Sequence, residues 1–285
     1  MKICRFDEDR IGLVAGTSVH DVTAALDALP PAGASRFQGD RLVANLDQLL
    51  PVMAEMAQDA PALDLASVTL RSPVATPTKL VCAPVNYKKH EWEGATDAEL
   101  HFNRHLGKIR EVGLFLKANS AMAGAGDGVQ LRHLERRNDH ELELALVIGR
   151  KADRVTREEA LSYVAGYTIG LDMTVRGAED RSFRKSIDSY AVLGPWLVTA
   201  DEIADPTSLG MTLEVNGQPR QNANTRDLIV SIPELIEWAS AYYTLHPGDV
   251  IYTGTPEGVG PVVPGDTITA SIDGIGTMTV AVSAA

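Results

Sequence analysis

The segment His140-Glu141-Leu142-Glu143-Leu144-Ala145-Leu146-Val147-Ile148, closed by Gly149, places the tightest constraint on this chain. It reads as a strand. A period of two sets Glu141 and Glu143 on one face and Leu142 and Leu144 on the other. Standing alone, such a pair of acids reads as a solvated strand face. A third acid, Asp172, is embedded in another apolar stretch, Gly170-Leu171-Asp172-Met173-Thr174. Three carboxylates with no thiolate cluster form a hard oxygen site suited to magnesium, with manganese or calcium as alternatives. Buried together without a cation, they would be costly or would neutralise by protonation. A divalent ion removes that cost.

The rest of the chain reads as α+β, predominantly β. Ile3 to Phe6 and Arg10 to Val14 suit paired strands around the polar turn Asp7-Glu8-Asp9. The spaced apolar residues of Val19 to Leu29 and Asn45 to Met56 suit short helices. Pro and Ser near residue 75 mark a boundary between a small N-terminal α+β domain, 1–75, and a larger domain, 76–285. Beyond it, Lys79 to Ala83 and Leu114 to Lys117 read as further strands. Capping boxes at Thr156/Glu159 and Ser231/Glu234 announce two helices, the second with Pro233 in its first turn. Gly194-Pro195 reads as a turn, and Pro247-Gly248-Asp249 and Pro264-Gly265-Asp266 as turns feeding strands. Neither Gly-rich stretch, residues 124–128 or 254–260, has the pattern of a phosphate loop.

Several function classes are disfavoured. With 26 Lys and Arg against 38 Asp and Glu, the net charge of -12 repels polyanions and argues against nucleic-acid binding. No apolar run approaches the roughly 18 residues of a membrane helix. The acidic, alternating N-terminus does not read as a signal peptide. Cys4 and Cys82 suit a reducing compartment, so a cytoplasmic protein is expected, and neither belongs to a zinc-like spacing.

Other residues carry candidate chemistry. If the chain turns helical at His90, then His90 and Glu93 share a face, and a carboxylate orienting an imidazole is the usual construction of a general base for water. Gly94 follows as a candidate hinge, whereas His101 and His105 read as solvated. Lys185 suits neutralisation of a substrate carboxylate or an enolate beside a metal. Gly254-Thr255-Pro256, at a strand end, offers a hydroxyl and backbone amides to a carboxylate, or is simply a tight turn.

Five ordered blocks follow one another: Asn86-Tyr87-x-x-His90; Phe115-Leu116-Lys117; His140 through Gly149; Gly166-Tyr167 through Asp172-Met173-Thr174-x-Arg176; and Lys185-Ser186 through Gly194-Pro195-Trp196. A tail adds Val215-Asn216-Gly217, Gln221, Asn224-Thr225, Pro247 to Ile251 and Gly254 to Gly260. Together these blocks, over about residues 79 to 283, resemble the fumarylacetoacetate hydrolase family, in particular its acylpyruvate hydrolase, fumarylpyruvate hydrolase and 2-hydroxyhepta-2,4-diene-1,7-dioate isomerase group. The resemblance implies a mixed β-sandwich roll of that family's C-terminal type with a small N-terminal domain, usually a homodimer. It implies magnesium or manganese held by Glu141, Glu143 and Asp172, a water-activating His90–Glu93 dyad on a mobile lid, and Lys185 as the active-site lysine. It assigns substrate contacts to Lys117, Arg176, Thr255 and the position of Glu179, with 2-oxo or 2,4-dioxo acids as substrates. The implied activity is metal-dependent hydrolysis of a carbon–carbon bond to pyruvate and a carboxylic acid, with an isomerase or decarboxylase as the alternative. Glu179 stands where many members have a donating Gln, and is expected to face Arg176, Arg181 or Arg184 instead. The segment from Asp172 to Lys185 is also shorter than in several members.

Overall fold

The structure, a computed structural model, describes residues 1–30, 39–96, 100 and 107–285. Within them the acid–leucine segment forms a strand over Leu142–Ile148 (β11), buried along its whole length. Leu142, Leu144, Leu146 and Ile148 enter one apolar core, and Ala145 and Val147 enter another on the opposite face. The period of two therefore holds, but both faces are covered. Glu141 and Glu143 do not lie on a solvated face.

β11 is central in a sheet that has twelve strands among the described residues. Its order is β4 (Ala62–Asp64), β3 (Ser18–Asp21), β2 (Arg10–Ala15), β1 (Lys2–Phe6), β14 (Ala191–Thr199), β12 (Val164–Asp172), β11, β17 (Val250–Tyr252), β6 (Leu80–Cys82) and β7 (Phe115–Lys117). Two more pair off this path, β5 (Leu70–Arg71) with β1 and β8 (Met122–Gly124) with β14. A five-stranded sheet runs β16 (Gln218–Asn224), β15 (Gly210–Val215), β19 (Thr267–Ile272), β20 (Gly276–Ala284) and β9 (Val129–Leu131). Its Leu213, Ile268 and Val280 share the core of Leu142 and Leu144. The third sheet is β13 (Thr174–Val175), β10 (Asn138–His140) and β18 (Gly260–Pro261). The chain is thus sheet-rich α+β.

The described α-helices are α1 (Arg41–Ala44), α2 (Leu46–Asp59), α3 (Lys88–Thr96), α4 (Ile109–Val112), α5 (Arg181–Lys185) and α6 (Ile232–Tyr242). In α2, Leu46, Leu49 and Met53 recur at three- and four-residue spacing and join the core that holds Ala145 and Val147 of β11. Each such side chain stabilises by about 1.5–3 kcal/mol when fully buried. The first 75 residues do not form a sheet of their own: Ile3 on β1 pairs with Leu197 on β14. None of the described helices is long and apolar enough to cross a membrane.

Three local expectations differ. Val19 belongs to strand β3, and only Thr23–Ala28 turns helical, as a 3-10 helix. Gly16, at φ +60, makes the tight turn that lays β3 back on β2. The Thr156/Glu159 box gives a turn leading into a 3-10 helix at Ala160–Tyr163, whereas the Ser231/Glu234 box caps α6 as expected. Gly194-Pro195 is not a turn but lies inside β14, where the pairing with β12 shifts register between Tyr167 and Ile169. A shift of this kind accommodates a proline that cannot donate to the ladder. The segment with His101 and His105 lies outside the described residues.

Candidate active site

Glu141 lies where the chain passes from β10 into β11, and its backbone oxygen accepts the amide of Asp172 at 2.9 Å. Asp172 therefore sits across from it on the neighbouring strand, while Glu143 pairs across with Gly170. Glu141, Glu143 of β11 and Asp172 of β12 point to one side, and their ligand oxygens lie within 4.8 Å of one another. All three are buried. At Gly170 any side chain would meet the Tyr252 ring at 2.7 Å, so the glycine lets that ring pack beside the acids.

Like charges opposed across strands repel, and this cluster carries compensating cations. Lys185 Nζ donates to Glu141 Oε2 and to Asp172 Oδ2, each at 2.6 Å. Arg176 reaches Glu141 Oε1 from Nη2 at 2.9 Å and Asp139 Oδ2 from Nε at 2.7 Å. Lys117 Nζ donates to Asp172 Oδ1 at 2.5 Å and to the carbonyls of Met173 and Tyr190. Burial raises the affinity of Glu141 for a proton, but Lys185 and Arg176 outweigh it and hold this acid well below the ordinary carboxylate range. Glu143 differs. Among the described residues it accepts a hydrogen bond from the Gly254 amide, at 2.6 Å, and burial with the adjacent Asp172 pushes it well above that range. The cluster is thus short of positive charge at Glu143, and its donors are all hard oxygens, so these residues fit a divalent cation.

On the other side of the cavity, α3 presents the buried ring of His90. Its Nδ1 is 2.8 Å from Glu93 Oε2, and Glu93 Oε1 accepts the Gly258 amide at 2.9 Å. A carboxylate on Nδ1 selects the tautomer that leaves the Nε2 lone pair free. Asn86, just before α3, exchanges hydrogen bonds with Val230 and donates to Thr253 O at 2.8 Å, which ties the base of the helix to β17. Gly94, expected as a hinge, lies within α3 and lines the cavity.

One cavity gathers His90, Glu141, Glu143, Asp172, Arg176, Lys185 and Thr255. At about 30 Å³ in this conformation it has room for a water or two and not for an organic acid. Thr255 Oγ1 accepts from Gln221 Nε2 at 2.9 Å, and Gln221 Oε1 accepts from Leu142 N at 3.0 Å. The hydroxyl proton of Thr255 is then available to donate.

Two expected substrate contacts lie elsewhere. Lys117 stands behind Asp172 with an acceptor for each of its three protons, so it orients that carboxylate. Glu179 does not face Arg176, Arg181 or Arg184. It is half-exposed in a bidentate pair with Arg136, at 2.8 and 3.0 Å. Arg136 passes so close over Gly177 that a β-carbon there would meet its guanidinium at 1.8 Å. Sequence reasoning also passed over Arg181 and Arg184, which line the cavity with Lys185. Their spacing, i, i+3 and i+4 after Asp180, is a helical signal, and Asp180 does cap α5 by accepting Ser182 N at 2.8 Å.

A family model described as fumarylacetoacetate hydrolase, C-terminal, matches residues 79–283. The chain belongs to the fumarylacetoacetate hydrolase family. Within that family it is 57% identical to a maleylpyruvate hydrolase of Aquipseudomonas alcaligenes over 287 aligned residues, covering 99% of each chain. It superposes on the crystal structure of a maleylpyruvate hydrolase from Sphingobium sp. SYK-6, in complex with manganese(II) and pyruvate, with a TM-score of 0.84 at 41% identity. That match covers 100% of this chain and 99% of the other. A 2-hydroxyhepta-2,4-diene-1,7-dioate isomerase from Mycobacterium marinum matches with a TM-score of 0.72 at 30% identity, covering 100% and 98%.

Proposed function

We propose that this chain is a divalent-metal-dependent hydrolase that cleaves the C3–C4 bond of a 2,4-dioxo acid, with maleylpyruvate as the substrate. The observation that carries this reading is the placement of an imidazole–carboxylate pair, His90–Glu93, against the same cavity as the three buried carboxylates. Glu141, Glu143 and Asp172 would hold the ion, magnesium or manganese, which when bound supplies a Lewis acid for the 2-oxo acid head and for the charge of an enolate. The maleylpyruvate relatives, one crystallised with manganese and pyruvate, support the same choice.

His90 Nε2 takes a proton from water while Glu93 stabilises the imidazolium. The hydroxide adds to the C4 carbonyl, the C3–C4 bond breaks, and the acyl half leaves as a carboxylic acid. The electron pair passes to the pyruvate half as an enolate. Lys185, whose third proton is uncommitted beyond Glu141 and Asp172, donates to that charge. The proton carried by His90 returns to C3, so water is consumed without net change in the protein. The narrowness of the cavity supports the reading of α3 as a lid that moves to admit the substrate.

The three sheets support the description as a mixed β-sandwich roll, and the small N-terminal unit over residues 1–75 is an extension of its largest sheet. A homodimer in the cytoplasm completes the reading, consistent with two buried free cysteines. Purified protein with Mg2+ or Mn2+ should release pyruvate from maleylpyruvate, and His90→Ala should lose about 10²–10⁴-fold in kcat. No pyruvate from the wild type, with deuterium exchange at C3 of a 2-oxo acid retained, would instead identify an isomerase built on the same enolate-forming site.

A further inference from the structure

Among the described residues, the side-chain nitrogens that are buried without any hydrogen-bond partner are His140 Nε2 and Arg184 Nε. Arg184 is 8% exposed and lines the active cavity. Among the described residues it donates from Nη1 to Val175 O at a long 3.4 Å, and Nε on its other edge has no partner. Buried guanidinium groups are normally paired with a carboxylate, because an unmatched charge in a low-dielectric wall is unfavourable. The other cations around this site are engaged: Arg176 by Asp139 and Glu141, Lys185 by Glu141 and Asp172, and Lys117 by Asp172. Four cationic side chains and three carboxylates line the cavity, and those carboxylates already face Arg176, Lys185 and the proposed ion. The positive charge left over sits on α5, at the cavity wall.

We infer that Arg184 is the specificity-determining residue for the distal end of the substrate, receiving a second carboxylate on its Nε–Nη2 edge. Planar, bidentate capture of a carboxylate is what a guanidinium edge does best, and lysine does not reproduce it. The site would thereby select acylpyruvates whose acyl group ends in a carboxylate over those with an uncharged end. This rests on the hydrolase reading for the orientation of the substrate, with its 2-oxo acid head at Glu141, Glu143 and Asp172.

A pair of unreactive seven-carbon acids tests it without turnover: 2-oxoheptanedioate, which has the distal carboxylate, and 2-oxoheptanoate, which lacks it. Binding to the Mn2+-loaded protein is measured calorimetrically for wild type, Arg184→Gln and Arg184→Lys. The wild type should prefer the diacid by about 10²-fold, Arg184→Gln should bring the two affinities close to equal, and Arg184→Lys should fall between. Binding of 2-oxoheptanoate by each variant shows that the site is still formed. A wild type without preference, a preference that survives in Arg184→Gln, or equal loss of both acids in that variant overturns the assignment. If the preference behaves as expected but maleylpyruvate yields no pyruvate, the hydrolase reading fails and the carboxylate subsite stands.

Discussion

Glu143 and His140, three positions apart in the chain, are both driven towards their neutral forms by burial. Among the described residues Glu143 has a backbone amide but no ion-pair partner, and burial and Asp172 make its ionised form unfavourable. Glu143→Gln retains the shape, and its amide oxygen still accepts from Gly254. Titration with Mn2+ should show affinity reduced by at least about 10²-fold, while the metal-free variant is at least as stable as wild type because a buried charge is gone. Unchanged Mn2+ affinity would remove Glu143 from the ligand set. His140, buried beside Gln221, is depressed to about 4 from the ordinary 6.5, chiefly by burial. The unfolded chain then binds the proton more readily than the native one between those values. Stability is fully present above about pH 6.5 and falls as pH drops towards 4, by about 3 kcal/mol from this residue. Denaturant titrations at pH 7 and pH 4.5 should show a smaller difference for His140→Asn than for wild type.

At the scale of elements, α3 and the 254–260 segment close the cavity together, and Glu93 joins them by holding His90 with one oxygen and the Gly258 amide with the other. Glu93→Gln retains the contact with Gly258 but turns an amide N–H towards Nδ1. The imidazole must then accept at Nδ1 and carry its proton on Nε2, where no base remains. A fall in kcat of about 10²–10⁴-fold is expected, with the melting temperature within a few degrees of wild type. A variant with near-normal kcat would show that Glu93 does not set the tautomer. The same scale separates the helix signals that worked from those that did not. Ser231/Glu234 is followed by a long amphipathic face, Leu235, Ile236 and Ala239, that packs into the core. Thr156/Glu159 is followed by four residues before the chain must enter β12, so a single 3-10 turn is all that fits.

At the scale of the molecule, the first 75 residues and the metal-binding face are one structure. β1 extends the sheet through β14, and Leu49 is packed in the same core as Ala145, Val147 and Tyr252. Leu49→Ala should lower stability by about 2–5 kcal/mol, and calorimetry should still show a single transition. A separate early transition would mean that the N-terminal unit unfolds alone. The boundary near residue 75 rests on Pro and Ser punctuation, and such punctuation does not report which strands pair.

The sequence by itself determined which side chains could meet at one site. Strand period placed Glu141 and Glu143 on one side, residue type made the cluster hard, and His90 and Glu93 at helical spacing had to share a face. These are local rules, acting over one or two turns or across a pleat. The tertiary structure alone decided that both faces of β11 are covered, since the two cores it enters are assembled from segments far apart in the chain. It also decided that Lys117 supports Asp172, that Glu179 turns away to Arg136, and that Arg184 faces the cavity with an unpaired edge. Long flexible cations choose partners by distance in the folded state, and no spacing along the chain encodes that distance.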